Sequence, residues 1–379
     1  MTGANISIES MKPFSGETLS SLPKVVVIIL NYNSSSFSNI VRESIESALS
    51  IKYTNLDVAV VDNCSTDGSF EAIVDRFVGD VIALRLSRNY GYAGGNEFGF
   101  KNYVARRGFP EYAVFMNNDY VIKNGDFLME HIRFLDGRRS VLLANGYNLQ
   151  EDGLHISNFG FFIDSFTDII SRYCNFRVSE CPKKPSYITY ASGECFTAKV
   201  KPILKLRKSI FHPIIFAYWD KSELALNLWS HGFRSIALPT EVGVHYSSKS
   251  FSSFPSLSLY LTTRNRHTII KNYFRGKLEA CSKPATLRFL LTLPMRLLQQ
   301  SKGKILVKAF FDSHKITLPT FGSFNPAIIV PKKFSTYIKH ATPFPRKVYK
   351  GLFNRISLMT VGDEELKSSP IPFAIPVNL

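Results

Sequence analysis

The feature that most constrains the fold is a regular alternation of short apolar runs and amphipathic helical patterns between residues 25 and 116. Each apolar run is rich in Val or Ile and is long enough for one strand, whereas the segments between the runs repeat their apolar residues with a period near 3.6. The strand patterns cover residues 25–32, 56–63, 81–87 and 112–116, and the helical patterns cover 38–49, 68–77 and 94–106. This alternation predicts an α/β fold, Rossmann-like, with a mostly parallel sheet and helices on both faces.

Polar residues and glycines follow all four predicted strands. The first strand ends in NYN (31–33), the second in VDNCSTDGS (61–69), the third runs into RNYGYAGGN (88–96), and the fourth ends in NND (117–119). A single polar strand end is explained by a helix cap, but four at one edge predict a site for a polar ligand, because ligands of α/β sheets bind at the carboxyl ends of the strands. No G-x-G-x-x-G follows the first strand and no G-x-x-x-x-G-K-[ST] occurs, which argues against a dinucleotide site and a P-loop.

Seven segments, in the same order along the chain, resemble the family-two glycosyltransferases of GT-A fold, especially the rhamnosyl- and galactofuranosyl-transferase-like branch. They are VVVIILNYN, VAVVDNCSTDGS, LSRNYGYAGGNEFG, VFMNNDYVI, ASGECFTAKV, FAYWDKSELALNLWSHGF and VGVHYSSKS, and together they cover roughly residues 24–275. The resemblance implies a GT-A nucleotide-sugar-binding and catalytic domain over residues 24–250. It would follow a polar tail (1–23) and precede a basic, mainly helical region (251–379).

The resemblance also implies a nucleotide-sugar donor and a role for each matching residue. The nucleotide pocket would be lined by Asn31, Tyr32, Asn33 and Asp62, and the ribose and diphosphate would lie near Arg88, Asn89, Gly91 and Gly94. Asn117 takes the first acidic position of the family's D-x-D motif and would lie in the donor site. Asp119 would bind a divalent metal, Mn²⁺ or Mg²⁺, with His245 as a second ligand.

A metal ion at this position has a clear chemical purpose. Breaking a sugar–diphosphate bond leaves negative charge on the phosphate, and a cation held by hard oxygen ligands neutralises it as a Lewis acid. Two structural explanations stay open at this point. Asp119 could be an ordinary turn residue before KNGDFLMEH, and His245 could be a strand-end histidine without a ligand.

The predicted catalytic base lies in a segment that departs from the family. Relatives carry two adjacent acids here and a third two residues later, and the second of the pair is the base. This chain has Asp220, then Lys221 at the position of the base, then Glu223. An inverting transfer needs a carboxylate within hydrogen-bond reach of the acceptor hydroxyl, and a protonated lysine cannot accept that proton. Asp220 is the first candidate and Glu223 the second, although the two also have the spacing of a capping box.

The formal net charge of +16 belongs to the last third of the chain. Residues 246–379 hold 21 Lys and Arg against 5 Asp and Glu, whereas the two signs cancel in residues 1–245. Residues 256–274 and 284–313 show helical patterns, and in the first of them Tyr260, Arg264 and Asn265 would pack near or contact the donor phosphates. A basic, apolar-striped helix is typical of a segment that lies on an anionic bilayer, and a solvated helix face is the alternative. Residues 317–379 have no assignable role.

The chain is therefore predicted to be an inverting, metal-dependent glycosyltransferase that acts on a glycan or lipid-linked acceptor at the cytoplasmic face of the cell membrane. The predicted sugar class is hexosyl or deoxyhexosyl. Residues 1–23 lack the pattern of a signal peptide, no membrane-spanning helix is expected, and the five cysteines are expected to be buried thiols. The alternative is a non-catalytic sugar-nucleotide or glycan-binding protein of the same fold. Nucleic-acid binding is not expected, because no binding motif accompanies the charge.

Overall fold

Strand β1 (Val25–Asn31) is the central strand of the sheet that the first half of the chain builds. The structure is a computed structural model, and it describes residues 22–164, 167–246, 255–274, 286–287, 289–291, 293–294, 300–319 and 329–330. The predicted alternation is present: α1 (Ser38–Leu49), β2 (Leu56–Asp62), α2 (Ser69–Arg76), β3 (Ile82–Arg85), α3 (Gly91–Arg107) and β4 (Tyr112–Asn117). The four strands pair in parallel in the order β3-β2-β1-β4, so the predicted α/β fold is confirmed.

The second half of residues 24–250 completes the sheet differently. Its elements are β5 (Tyr120–Ile122), α4 (Phe127–Asp136), β6 (Val141–Leu149), β7 (Ile156–Asn158), β8 (Phe161–Asp164), β9 (Ile169–Ser171), β10 (Ser186–Ile188), β11 (Cys195–Lys199), α5 (Val200–Arg207), α6 (Asp220–Ser230) and β12 (Arg234–His245). Strand β11 lies antiparallel between β4 and β6, and β12 runs parallel to β6. The ten-stranded sheet is therefore mixed, and the prediction of a mostly parallel sheet was wrong for this half. Between β6 and β11 the described chain has no α-helix, so these strands lack the crossover helices that parallel neighbours require.

The remaining described elements belong to the C-terminal region. Helix α7 (Pro255–Tyr273) and helix α8 (Gln300–Lys315) pack on each other, and β13 (Ile329–Val330) joins β8 and β9 in a separate three-stranded sheet. Helix α7 matches the pattern predicted for residues 256–274, and α8 matches the second part of the pattern over 284–313. None of the described helices is long and apolar enough to cross a bilayer.

The core has two layers because β1 alternates its side chains between the faces of the sheet. Val26 and Ile28 join the apolar cluster under α3, whereas Val27 and Ile29 join the cluster under α1. All four are fully buried, and burying an aliphatic side chain of this size contributes about 1.5–3 kcal/mol. The rigid strands that result fix the positions of the polar residues that follow them.

The described cysteines are free thiols, and two of them, Cys181 and Cys195, are buried as expected, whereas Cys64 and Cys174 are partly exposed. Cys281 lies outside the described residues, as do most of the predicted tail (1–23) and most of residues 317–379.

The glycines of α3 bring this helix close to the sheet. A Cβ atom at Gly99 would lie 2.5 Å from Cγ2 of Val61, and one at Gly95 would lie 2.7 Å from Cδ1 of Leu30. Their function in the fold is therefore close packing of α3 on β1 and β2.

We expect Gly99→Ala to lower the free energy of unfolding by about 1–3 kcal/mol, because the added methyl group overpacks the buried face of β2. Urea unfolding measures the change. Gly137→Ala is the matched control, since no atom lies within 4 Å of its added Cβ and its φ is −69°. Equal losses in both variants would contradict the packing role of Gly99.

Candidate active site

The ends of β1 and β2 are joined by one buried polar cluster. Asn31 donates from Nδ2 to Oδ1 of Asp62 at 3.1 Å, and Asp62 also accepts from the backbone N–H and the hydroxyl of Ser65 at 2.9 and 2.5 Å. Nε of Arg85 lies 3.4 Å from Oδ2 of Asp62. Asn31 and Asp62 are fully buried, so both side chains hold the strand ends together rather than present free groups at the surface.

Tyr32 and Asn33 lie at the same edge and are partly exposed. Asn33 has a left-handed backbone (φ 45°), its N–H donates to Oγ of Ser65 at 2.9 Å, and its Oδ1 accepts from the N–H of Thr66 at 2.9 Å. The structure therefore places two of the predicted residues, Tyr32 and Asn33, where a ligand can reach them at the rim of the cluster.

The loop after β3 is tied to β2 by an asparagine that the sequence analysis did not select. Asn63 donates to Oδ1 of Asn89 at 2.9 Å and to the carbonyl of Gly91 at 3.0 Å, and it accepts from the N–H of Tyr90 at 2.9 Å. Asn89 in turn accepts from the N–H of Gly91 at 2.8 Å. Arg88 is exposed and lies over the ring of Tyr90, so the predicted donor loop has a fixed backbone with an arginine at its outer side.

Glycine is required at the start of α3. Gly91 has φ 70°, and a Cβ atom there would lie 2.5 Å from the carbonyl oxygen of Phe216. A Cβ at Gly94 would lie 2.8 Å from the Cβ of Tyr90. These two glycines, which were predicted to lie near the ribose and diphosphate, therefore allow close backbone packing at the start of α3.

One histidine of the site lies between two carboxylates and contacts both. Nε2 of His245 lies 3.0 Å from Oδ1 of Asp119, and its Nδ1 lies 3.3 Å from Oε1 of Glu194. Asn117 is next to this group, with Nδ2 3.4 Å from Nε2 of His245. The structure thus brings together the predicted residues Asp119, His245 and Asn117, and it adds Glu194.

Glu194 is held by a chain of buried hydrogen bonds. Its Oε2 accepts from Asn158 at 2.7 Å, Asn158 accepts from Asn148 at 3.2 Å, and Asn148 accepts from the hydroxyl of Tyr120 at 2.6 Å. Asn148, Asn158 and Tyr120 are each at most 1 % exposed. Glu194 was not predicted as a site residue, although it lies in the segment ASGECFTAKV. Its position as a lone acid directly before β11 is the sequence feature that could have indicated it.

The two carboxylates determine the charge of His245. Burial alone would lower its pKa, but the negative charge of Glu194 and the hydrogen bond with Asp119 outweigh burial and raise the pKa from 6.5 to about 10. The imidazole is therefore charged at neutral pH and satisfies both acids, which would otherwise be unpaired in a poorly solvated site.

The Asp119–His245 pair fits a divalent cation as a two-ligand set when the ion takes the place of the proton on Nε2 of His245. Its oxygen and nitrogen atoms are adjacent, a carboxylate and an imidazole suit Mn²⁺, and Mg²⁺ or Mn²⁺ usually takes only one or two protein carboxylates and completes its shell with phosphate oxygens and water. Among the residues that the structure describes, no group of three or more His, Cys, Asp or Glu is arranged to hold a metal ion. A bound ion would therefore depend on the ligand for most of its coordination.

The predicted base, Asp220, lies at the start of α6 and is 1 % exposed. Nζ of Lys221 lies 3.0 Å from Oδ1 of Asp220 and 3.7 Å from the ring centre of Tyr92. The end of the lysine chain covers Gly193, whose added Cβ would lie 1.8 Å from Cε of Lys221. Lys221 therefore neutralises Asp220 in this structure and lies at the mouth of the site.

Tyr92 shows that the two acidic sides of the site are close to each other. Its hydroxyl donates to the carbonyl of Gly193 at 3.0 Å. Burial, and then the charges of Asp220, Cys195 and Asp119, raise its pKa well above the ordinary value. Asp220 and Asp119 thus act on the same phenol, although they are 101 positions apart in the chain.

Glu223 does not reach the site. It is fully buried, its Oε2 accepts from Arg207 at 2.6 Å, and its Oε1 accepts from the hydroxyl of Tyr273 at 2.7 Å. Both oxygens are thus engaged in joining α6 to α5 and α7. The expectation that Glu223 is a catalytic alternative is corrected to a structural role.

Arg264 is also engaged elsewhere. Its Nη2 donates to the carbonyls of Ile214 and Ile215 at 2.8 and 2.9 Å, and its Nε donates to Oδ1 of Asn265 at 2.9 Å. The expectation that this guanidinium binds donor phosphates is therefore corrected: it binds the backbone of the loop before α6.

Comparison with known proteins gives one family match and several structures of the same fold. Residues 26–182 match the family model described as Glycosyl transferase family 2. The comparison with curated protein sequences gave no match.

Solved structures of glycosyltransferases share the fold at low sequence identity. GalNAc-T7 with UDP, GalNAc and Mn²⁺ has a TM-score of 0.55 and 13% identity over 86% of this chain and 59% of its own. S. aureus TarS 1-349 with UDP-GlcNAc has a TM-score of 0.51 and 17% identity over 76% and 80%. PcManGT from Pyrobaculum calidifontis, with GDP-Man and Mn²⁺, has a TM-score of 0.47 and 17% identity over 91% and 88%. The likeness to the first two establishes the predicted GT-A-like fold; this chain spans 43% of a longer S. aureus TarS chain.

We expect the imidazole of His245 to stay charged up to a pH near 10 in the metal-free protein, and Glu194→Gln to lower that pKa, because the largest charge that raises it is removed. Histidine-selective NMR titration measures both. Since the folded-state pKa exceeds 6.5, His245 contributes stability that is fully present below about pH 6.5 and is lost as the pH rises through about 10. His131, whose pKa burial lowers to about 3, is the control and should stay neutral in both proteins. An unchanged His245 titration in the variant would contradict the arrangement.

Proposed function

We propose that this chain, whose residues 26–182 match the model of Glycosyl transferase family 2, is an inverting, metal-dependent enzyme that moves a sugar from a nucleotide-sugar donor to a glycan or lipid-linked acceptor. One observation carries the proposal. Contacts of Tyr92 link the two acidic groups: Lys221, which pairs with Asp220, lies over the Tyr92 ring, and the Tyr92 hydroxyl donates to the carbonyl of Gly193, next to the Glu194 that pairs with His245. Such an arrangement combines a cation site with a base.

The donor would lie along the ends of β1, β2 and β4. Tyr32 and Asn33 would contact the nucleotide, and buried Asn31 and Asp62 would hold these loops in place. The ribose and diphosphate would lie against the segment that contains Arg88, Asn89, Gly91 and Gly94, with Asn117 beneath them. The fixed backbone around Asn63 supports this assignment, because a preformed loop loses little entropy when a ligand binds.

Asp119 and His245 would hold Mn²⁺ or Mg²⁺. The ion would supply positive charge for the oxygen of the departing diphosphate. Glu194 would keep the imidazole of His245 in its orientation, as carboxylates behind metal-bound histidines do in other proteins.

Asp220 would act as the base. The acceptor hydroxyl oxygen would form the new bond to the anomeric carbon, its proton would pass to the Asp220 carboxylate, and the bond from that carbon to the diphosphate oxygen would break with its electrons. Attack from the side opposite the leaving group inverts the configuration. Lys221 would have to swing away from Asp220 before the acceptor enters, and 22 % exposure of its side chain leaves room for that movement.

The ion pair between Asp220 and Lys221 also favours a second candidate function. If the pair never opens, the carboxylate has no access to an acceptor, and the protein would bind a sugar nucleotide or glycan without transferring the sugar.

We also propose peripheral contact with the cytoplasmic face of the cell membrane. The charge excess lies in residues 246–379, and the described part of that region exposes large apolar side chains: Leu257, Leu287, Leu290, Leu291 and Phe311. Apolar groups among lysines favour binding to an anionic bilayer, and a lipid-linked acceptor would be presented there. A hexosyl or deoxyhexosyl donor is the class that the sequence resemblance favours.

Release of nucleotide diphosphate from a panel of UDP-, GDP- and dTDP-sugars tests the proposed reaction, with Mn²⁺ or EDTA and with or without membrane lipid extract. We expect metal-dependent release from one donor, with a loss of at least about a hundredfold in Asp119→Asn and Asp220→Asn. Asp80→Asn is the control, because Asp80 is exposed and lies between α2 and the start of β3, at the opposite end of that strand from the site. Tight donor binding without release under every condition would instead support the binding protein.

Vesicle flotation tests the membrane contact. We expect binding to vesicles that contain phosphatidylglycerol, none to pure phosphatidylcholine, and weaker binding in Phe311→Ser because an exposed apolar anchor is lost. Phe109→Ser, which alters an equally exposed phenylalanine between α3 and β4, should bind as the wild type does. Equal binding to both vesicle types would contradict the proposed contact.

A further inference from the structure

The loop between α5 and α6 has an unusual backbone directly before the proposed base. Phe216, Tyr218 and Trp219 have φ values of 64°, 62° and 65°, although none of them is glycine. At Phe216 the pair φ 64° and ψ −69°, with a 2.8 Å hydrogen bond from the N–H of Ala217 to the carbonyl of Ile215, forms a γ-turn of the rare, strained type. Such conformations persist only where surrounding contacts fix them.

One side chain of α7 supplies three of those contacts. Nδ2 of Asn265 lies 2.8 Å from the carbonyls of Ile215 and Ala217 and 2.9 Å from the carbonyl of Tyr218. An amide group has two N–H bonds, so at least one of them is shared between two carbonyls. Asn265 is fully buried, and its NH₂ group lies where the three carbonyls of this strained loop converge.

Arg264 completes the hold on the loop. Its guanidinium binds the carbonyls of Ile214 and Ile215 and fixes the Asn265 amide through Oδ1. Because Oδ1 accepts this bond, the NH₂ group of Asn265 is the part that faces the loop. We name the two residues Arg264 and Asn265 the α7 clamp.

The far side of the same loop contacts the proposed donor segment. The carbonyl of Phe216 accepts from the N–H of Ala93 at 2.8 Å and lies against Gly91, which has no side chain to keep it away. Trp219 then leads directly into Asp220. The loop therefore touches the donor side of the site at Phe216 and the base side at Trp219.

We propose that Asn265, supported by Arg264, is a positioning residue: the α7 clamp holds residues 213–219 in their strained conformation and thereby sets the distance between the donor segment and Asp220. This inference rests on the proposed function and goes beyond it, since the two residues of the clamp act through the backbone of the loop that they bond. Releasing the clamp would let the loop relax toward ordinary backbone angles and would move Asp220 away from its position relative to Gly91.

The two tryptophans of the chain allow a direct test in the full-length protein. Trp219 lies in the loop, whereas Trp229 lies near the end of α6, where its indole N–H donates to the carbonyl of Thr189 at 3.1 Å. In protein labelled with 5-fluorotryptophan, we expect Asn265→Asp to shift or broaden the ¹⁹F signal of Trp219 and to leave that of Trp229 unchanged. The variant replaces a donor by a carboxylate that the three carbonyls repel.

A matched control and a milder variant accompany it. Asn272→Asp makes the same change two turns along α7, where Asn272 bonds the backbone of Thr268 and Leu318 and not the loop, so the Trp219 signal should not move. Arg264→Gln is the second variant in case Asn265→Asp does not fold, and it should shift Trp219 in the same direction by less. An unshifted Trp219 signal in a folded clamp variant overturns the proposal, as does a shift that Asn272→Asp produces equally.

Steady-state kinetics decides whether the loop position matters for the chemistry. We expect kcat for donor consumption to fall about tenfold to a hundredfold in the clamp variants, with little change in KM for the donor, because misplacing a reacting group costs rate more than binding. A shifted Trp219 with unchanged kcat would overturn the positioning role. If the wild-type protein consumes no donor at all, the proposed function fails, and the ¹⁹F spectra still decide whether the clamp holds the loop.

Discussion

The imidazole of His245, held between Asp119 and Glu194, is the interaction on which the rest of the site depends. The three residues come from separate places: the turn after β4, the residue before β11, and the last residue of β12. They meet only because β12 pairs with β5 in the register that sets His245 opposite Tyr120. A shift of one residue would turn His245 to the other face and leave two poorly solvated carboxylates without a positive partner.

The site lies where the parallel part of the sheet meets its antiparallel part. The parallel half supplies polar strand ends, as open α/β sheets do. The antiparallel entry of β11 then brings Gly193 and Glu194 beside the end of β4, where the N–H of Asn117 bonds the carbonyl of Glu194 at 2.9 Å. Tyr92 and the loop before α6 close the opposite side. The Asp119–His245 pair and Asp220, the proposed cation ligands and base, therefore come from separate elements of the chain.

The sequence was sufficient to predict the parts of this arrangement that depend on local pattern. The alternating strands and helices up to Asn117, the polar strand ends and helix α7 all follow from periodicity and strand-end chemistry. Asp119 and His245 were paired through family resemblance, and the structure brings them together. The mixed half of the sheet was not predictable in this way, because its short strands carry no signal for which neighbour they pair with.

The residues that were assigned wrongly or missed have a common physical cause. Glu223 and Arg264 look like site residues by spacing, but their direction is set by tertiary partners, Tyr273 and the carbonyl of Ile215 respectively. Glu194 and Asn63 gain their importance only from groups far away in sequence. The sequence can indicate that a charged or amide side chain lies near a site, but it does not identify the group that this side chain binds in the folded protein.

Anomalous X-ray scattering at the manganese edge, from crystals of the protein grown with Mn²⁺ and a nucleoside diphosphate, would show whether Asp119 and His245 hold the metal ion. We expect one strong peak beside Asp119, His245 and the diphosphate, with Glu194 still behind the imidazole. A nucleotide bound at the strand ends with no manganese at that pair, or manganese bound elsewhere, would contradict this expectation.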